Sequence, residues 1–120
     1  MEAPLPRALV VDDDAALRLL CRVNLELDGF AVREAGTVEE ADAALAEATP
    51  DVVLLDVHLG GQESTALLER LRAAGIPVAL VTGSVDIEDY RDRADAIVPK
   101  PFLPQDLVDT ARRLAKVPRS

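Results

Sequence analysis

Five short apolar runs alternate with five helix-patterned segments, and that alternation leaves the chain few folds to adopt. "RALVV" (7–11), "FAVRE" (30–34), "VVLL" (52–55), "PVALV" (77–81) and "DAIV" (95–98) have the length and composition of strands. Between and after them, "ALRLLCRVNLEL" (16–27), "VEEADAALAEA" (38–48), "ESTALLERLRAA" (63–74), a weaker acid-rich "VDIEDYRDR" (85–93) and "PQDLVDTARRLAK" (104–116) read as helices. The punctuation agrees. Gly29 and Gly75 stop helices, Pro104 suits a first helical turn, and Thr37 with Glu40 has the spacing of a capping box. Strand–helix alternation repeated five times predicts an α/β fold, a doubly wound five-stranded parallel sheet with helices on both faces. The unbroken apolar run 52–55 belongs in the middle of that sheet, buried on both sides. Sheets of this kind bind ligands beyond the carboxyl ends of their strands, near a topological switch point.

The strand ends therefore matter most. The first run ends in Asp12, Asp13 and Asp14, and the third in Asp56. The fourth ends in Thr82 followed by Gly83 and Ser84, and the fifth passes through Pro99 into Lys100 and Pro101. The second closes on Glu34 and Ala35 without distinction. In a parallel sheet these tips share one edge, so acids, a hydroxyl and an ammonium converge there. Carboxylates brought within about 4–6 Å of each other raise at least one pKa unless a cation intervenes. A divalent hard cation resolves the conflict, and Mg²⁺ typically takes one or two carboxylates, waters and phosphate oxygens. The expected direct ligands are Asp13 and Asp56, with Asp12 holding a metal-bound water and Mn²⁺ an acceptable substitute. Lys100 and Thr82 complete a pocket for an incoming phosphoryl group. Asp56, alone at the end of the most buried strand, is the expected carboxylate nucleophile.

Taken singly, each residue has a blander role. Asp12–Asp14 suit a solvated turn capping the first helix, Thr82-Gly83-Ser84 a turn and cap, and Lys100 the surface. His58 suits a loop, contributing its backbone carbonyl, and Cys21 suits the core. Their combination, in order, carries the argument. With one histidine and no cysteine cluster, zinc is not expected.

The totals narrow the class. At 120 residues the chain is expected to be a single domain over 1–120, with a core of about 6–116 and no output domain after it. Acids outnumber bases 22 to 13, a net charge of −9, which argues against general affinity for nucleic acid or an anionic membrane. The single Cys21 cannot form an internal disulfide. The start "MEAPLPRALVVDDD" lacks a signal-peptide pattern, and no run approaches the ~18 apolar residues of a membrane span. A soluble cytoplasmic protein is the expectation.

The segments "LVVDDD", "VVLLDVHLGG", "VALVTGS" and "VPKPF", in that order and spacing, resemble the receiver domain of two-component response regulators, of single-domain type, over nearly the whole chain. The resemblance implies a flavodoxin-like sheet of order 2-1-3-4-5. It implies that Asp56 is phosphorylated by a histidine kinase or histidine phosphotransfer protein, with Mg²⁺ bound by Asp13, Asp56 and the His58 carbonyl. Lys100 would pair with the phosphoryl group, Thr82 would move to hydrogen-bond it, and the Lys100–Pro101 bond would be cis. Chemistry would be confined to self-phosphorylation and autodephosphorylation at Asp56. The first helix (15–27) would dock on the helical bundle of the phosphodonor, and no downstream protein target is specified. That helix carries Ala16, Leu19, Leu20, Val23 and Leu27 in one stripe, widened by Leu17, Cys21 and Leu25; one flank is expected on the sheet and the other exposed.

Three departures from the family pattern stand out. Ile97 occupies the position of a Tyr or Phe that rotates inward when the threonine moves, which puts the usual coupling in doubt. Gly60 and Ser64 replace a Pro and a Gly, predicting a looser loop beside Asp56. Gly83 replaces a small residue, commonly Ala, leaving more room near the phosphate; His58 and Ser84 flank the pocket and are placed to tune the lifetime of the phosphate. Two other readings compete. A haloacid-dehalogenase-type phosphatase would use Asp12 as nucleophile and Asp14 as general acid, but it lacks an acidic pair after Lys100 and leaves Asp56 idle. A degenerate receiver, binding partners without phosphorylation, would not need the four principal site residues that are present.

Overall fold

The computed structural model describes residues 4–59, 62–83 and 87–117. Five parallel strands, β1 (Arg7–Val11), β2 (Ala31–Ala35), β3 (Val52–Leu55), β6 (Val78–Thr82) and β7 (Ala96–Pro99), form one sheet of order β2-β1-β3-β6-β7. Counting only these sheet strands along the chain, that is the expected 2-1-3-4-5. A two-residue antiparallel ladder, β4 (His58–Leu59) with β5 (Gln62–Glu63), lies outside it. Five helices complete the fold: α1 (Ala15–Leu27), α2 (Val38–Glu47), α3 (Thr65–Ala73), α4 (Ile87–Tyr90) and α5 (Pro104–Ala115). Among the described residues no helix is long and apolar enough to cross a membrane.

Strand β3 shows why the sheet is central. Val53 and Leu55 enter a core with Leu67, Leu68 and Leu71 of α3, whereas Val52 and Leu54 enter the opposite core with Cys21 and Leu25 of α1 and Leu107 of α5. Successive side chains point to opposite faces, so an unbroken apolar run is what a strand covered on both sides requires. Full burial of each such Leu is worth about 1.5–3 kcal/mol relative to exposure. The register pairs Val11 with Leu55, Leu55 with Leu80, and Thr82 with Pro99, which brings the carboxyl ends of β1, β3, β6 and β7 to one edge.

The helix ends follow their local chemistry. Asp14 caps α1, its Oδ1 accepting from the backbone N–H groups of Ala16 at 3.0 Å and Leu17 at 3.2 Å. Gly29 (φ 99°) and Gly75 (φ 76°) follow α1 and α3 in the left-handed region that glycine enters without steric cost. The Thr37 hydroxyl accepts from Glu40 N, but Glu40 returns its bond to Gly36 N rather than to Thr37. A Cβ on Gly36 would lie 2.9 Å from Nη1 of Arg18, so glycine there lets that guanidinium cross the loop.

Several boundaries differ from expectation. Strands β2 and β6 begin one residue later than their apolar runs, because Phe30 N is committed to Leu25 O at the end of α1 and Pro77 has no N–H to give; β7 also begins one residue later, at Ala96. Helix α3 starts at Thr65 rather than at 63, since residues 62 and 63 pair with β4. Of the expected helix 85–93, Val85 and Asp86 lie outside the described residues and the helix ends at Tyr90. There Arg93 N donates to Tyr90 O and the Arg93 guanidinium stacks over the buried Tyr90 ring, 5.1 Å from its centroid.

Candidate functional site

The backbone ladder continues one step past the strands and sets the site. Asp12 N donates to Ala35 O, Asp56 N to Val11 O and Lys100 N to Thr82 O, at 3.0, 2.9 and 2.8 Å. Asp12, Asp56 and Lys100 are thus each held by the neighbouring strand. Asp12, Asp13 and Asp56 come together, each offering a carboxylate oxygen within 4.8 Å of the others. Asp12 and Asp56 are buried and Asp13 is exposed. Lys100 reaches between the two buried acids, its Nζ 3.0 Å from Asp12 Oδ2 and 3.4 Å from Asp56 Oδ2. The second oxygen of each carboxylate is held by backbone: Asp12 Oδ1 accepts from Asp14 N and Asp56 Oδ1 from His58 N, at 2.9 and 3.1 Å.

The electrostatics follow from burial. Loss of water raises the Asp56 pKa above the ordinary carboxylate value; the His58 N–H opposes this, the Asp12 charge adds to it and Lys100 opposes it, and the net shift is upward. Burial alone would lower the Lys100 pKa, but its hydrogen bond to Asp12 and the charges of both acids outweigh it, and the ammonium is held above its usual value. Thr82 is fully buried and its hydroxyl has no hydrogen-bond partner among the described residues. Such an orphan costs about 1–3 kcal/mol. It is the kind of donor that an incoming oxyanion would satisfy.

The donor set fits a hard divalent cation. Oxygens opposed across Mg²⁺ at ~2.1 Å are ~4.2 Å apart, so three carboxylate oxygens within 4.8 Å need only a small contraction or an intervening water. Lys100 is shared between Asp12 and Asp56, so the three acids together hold negative charge that such an ion would neutralise.

Asp12, Asp13, Asp56 and Lys100 converge, while Thr82 stands at the end of β6 opposite Pro99 with its hydroxyl buried. His58 is represented by its backbone N–H on Asp56, and its side chain is exposed. The Lys100–Pro101 bond is cis, as the resemblance implied. Asp14, the general acid of the phosphatase alternative, is occupied as the cap of α1. Ile97 is half-buried against the core on the α3 side of the sheet. A Cβ on Gly83 would meet nothing within 4 Å and its φ is not positive, so Gly83→Ala is expected to fold and to gain about 0.4–1 kcal/mol in urea denaturation.

Two contacts escaped the sequence reading. Arg18 of α1 donates through Nη1 to the Asp12 carbonyl at 2.6 Å and through Nε to Glu34 at 3.2 Å, bracing the turn after β1. The loop expected to be looser is stitched at its far end, where Ser64 N and the Ser64 hydroxyl bond the backbone beside Asp56. Gly60 and Gly61 in that loop, and Ser84 on the other side, lie outside the described residues.

Comparison with known proteins agrees with this fold. The family model for the response regulator receiver domain matches residues 8–112. The transcriptional regulatory protein AruR of Pseudomonas aeruginosa is 37% identical over 124 residues, covering 95% of this chain and 51% of that protein. The DNA-binding response regulator MtrA of Mycobacterium tuberculosis is 36% identical over 117 residues, covering 93% of this chain and 51% of its own. The chain thus spans about half the length of the curated relatives it matches. Among solved structures, a CheY-like response regulator receiver domain protein from Methanospirillum hungatei superposes with a TM-score of 0.85 at 31% identity, covering 94% of this chain and 95% of that one. With a family match over most of its length and relatives above 30% identity, the chain belongs to the response regulator receiver domain family.

Proposed function

We propose that this receiver takes a phosphoryl group on Asp56 from the phosphohistidine of a histidine kinase or histidine phosphotransfer protein, with Mg²⁺ as cofactor. An Asp56 carboxylate oxygen forms the new bond to phosphorus, and the P–N bond of the donor breaks as its imidazole leaves. Asp13, Asp56 and the His58 carbonyl would hold the metal, Asp12 acting through a bound water. When bound, the ion offsets negative charge among the carboxylates and phosphoryl oxygens. The His58 N–H steadies the attacking carboxylate, Lys100 turns its ammonium toward the phosphoryl oxygens, and Thr82 gains a partner for a buried hydroxyl that has none among the described residues. Phosphorylation then shifts a pre-existing equilibrium and acts through protein contacts or onward phosphotransfer.

The observation that carries this reading is the junction of Asp12, Asp13 and Asp56 with Lys100 between two of them, at the strand ends of a receiver fold. Acetyl phosphate with Mg²⁺ is expected to label the protein with one acid-stable, base-labile phosphate; absence of label removes the proposal.

The exposed flank of α1 supports the choice of donor. Cys21 and Leu25 are buried on the sheet, while Leu19, Leu20, Val23 and Leu27 stand 57%, 43%, 45% and 82% exposed. An apolar stripe of that kind on one helix suits packing against another helix. Val23→Glu is expected to slow transfer from the cognate phosphodonor by about tenfold or more, leaving labelling by acetyl phosphate unchanged. Equal loss in both assays would point to misfolding instead of docking.

A further inference from the structure

Ser64 stands at the N-cap of α3, yet its side chain makes no cap bond. A serine there ordinarily accepts from an N–H of the first turn, an interaction worth about 0.5–2 kcal/mol. Here the hydroxyl is buried, 2% exposed, and turned back along the chain. It donates to the carbonyls of Asp56 at 2.7 Å and Val57 at 3.0 Å, sharing its one proton between them, and Ser64 N donates to the Val57 carbonyl at 2.8 Å.

The consequence lies in the geometry of a single peptide. The Val57 carbonyl and the His58 N–H belong to the same planar trans unit and point to opposite sides of it. Ser64 holds the carbonyl with its hydroxyl and its N–H, which fixes the direction of the N–H on the far side. That N–H is the one that donates to Asp56 Oδ1. Asp56 itself is anchored on its amino side by the bond from Asp56 N to Val11 O. The acceptor carboxylate is therefore aimed by two anchors, the sheet before it and Ser64 after it.

We propose that Ser64 is a positioning residue for Asp56, acting through the Val57–His58 peptide; its catalytic meaning rests on the phosphoacceptor reading above. The rest of the loop supplies the reason for a side-chain tie. The position where the resemblance expects a stiffening proline is Gly60, and the position where it expects a glycine carries this hydroxyl. A helix cap has been given up for rigidity beside the acceptor.

The test compares Ser64→Ala, which removes the hydroxyl and keeps the backbone bond, with Ser64→Thr and Ser64→Cys, which keep a donor. Amide hydrogen exchange at His58 is read in metal-free, unphosphorylated protein, and labelling by acetyl phosphate is read at saturating Mg²⁺. For Ser64→Ala, protection of the His58 amide is expected to fall by about tenfold, the loss of one ordinary hydrogen bond. The maximal labelling rate is expected to fall by about 3–10-fold with the half-saturating donor concentration unchanged. At least one donor-retaining variant is expected to restore both. Unchanged His58 protection and labelling rate in Ser64→Ala overturns the proposal. So does a rate loss that follows only the melting temperature across all three variants. If the wild-type protein takes no label, the phosphoacceptor reading fails by itself, and the exchange comparison still decides whether Ser64 fixes this peptide.

Discussion

Asp56→Asn is expected to take up no phosphate from acetyl phosphate and Mg²⁺, a loss of at least about 10³-fold, because a neutral amide oxygen is a poor nucleophile. The same substitution also reports on the electrostatics of the pocket. Burial raises the Asp56 pKa above its ordinary 3.8. Between that value and the raised one, the folded protein binds more protons at this site than the unfolded chain does. Stability contributed by the site therefore falls as pH rises through this window, and the full penalty remains at neutral pH. Asn carries no such penalty. In metal-free buffer at pH 7 the variant should be the more stable protein in urea denaturation. Its advantage should shrink as pH is lowered through the raised value and disappear below about 3.8. Added Mg²⁺ should reverse the order, since the wild type gains the free energy of a bound ligand and the variant has lost a ligating charge. Undiminished labelling of Asp56→Asn, or an advantage that grows in acid, contradicts the assignment.

The sheet, and the meeting of Asp12, Asp13, Asp56 and Lys100 at its edge, could be read from the chain because both depend on order and period alone. Strand–helix alternation selects parallel pairing, the run Val52–Leu55 selects the middle position, and parallel pairing brings the strand tips to one edge whatever the loops do. The contacts that were missed depend on where one side chain turns. Ser64 falls inside the helical pattern read over 63–74, and nothing in its neighbours announces that it turns back to the acceptor turn. Arg18 was visible only as a charge on the first helix. Its reach to the Asp12 carbonyl depends on how α1 packs and on the space that Gly36 leaves for the guanidinium. The short extent of α4 had a partial signal in its acid-rich composition, but the turn that ends it is sealed by Arg93 over Tyr90. Periodicity reports which face of an element is buried; it does not report the rotamer chosen at the ends.

Lys100→Met separates the two tasks proposed for the ammonium. Methionine keeps most of the apolar stem, so the change removes charge more than packing. In the metal-free protein Lys100 is the one cation bridging Asp12 and Asp56 among the described residues, and its loss leaves two buried carboxylates facing each other with only their backbone partners. The expected cost is about 1–3 kcal/mol, seen as a fall of several degrees in the melting temperature. Mg²⁺ should then stabilise the variant more than it stabilises the wild type, because in the wild type the ammonium already offsets the charge that the ion would neutralise. The melting shift on adding Mg²⁺ is the decisive quantity, since a merely structural lysine would lower both melting temperatures equally and leave that shift unchanged. A larger shift in the variant means that lysine and metal ion answer to the same excess of negative charge. In that case the ammonium becomes available to a phosphoryl group only when the ion has taken over the acids.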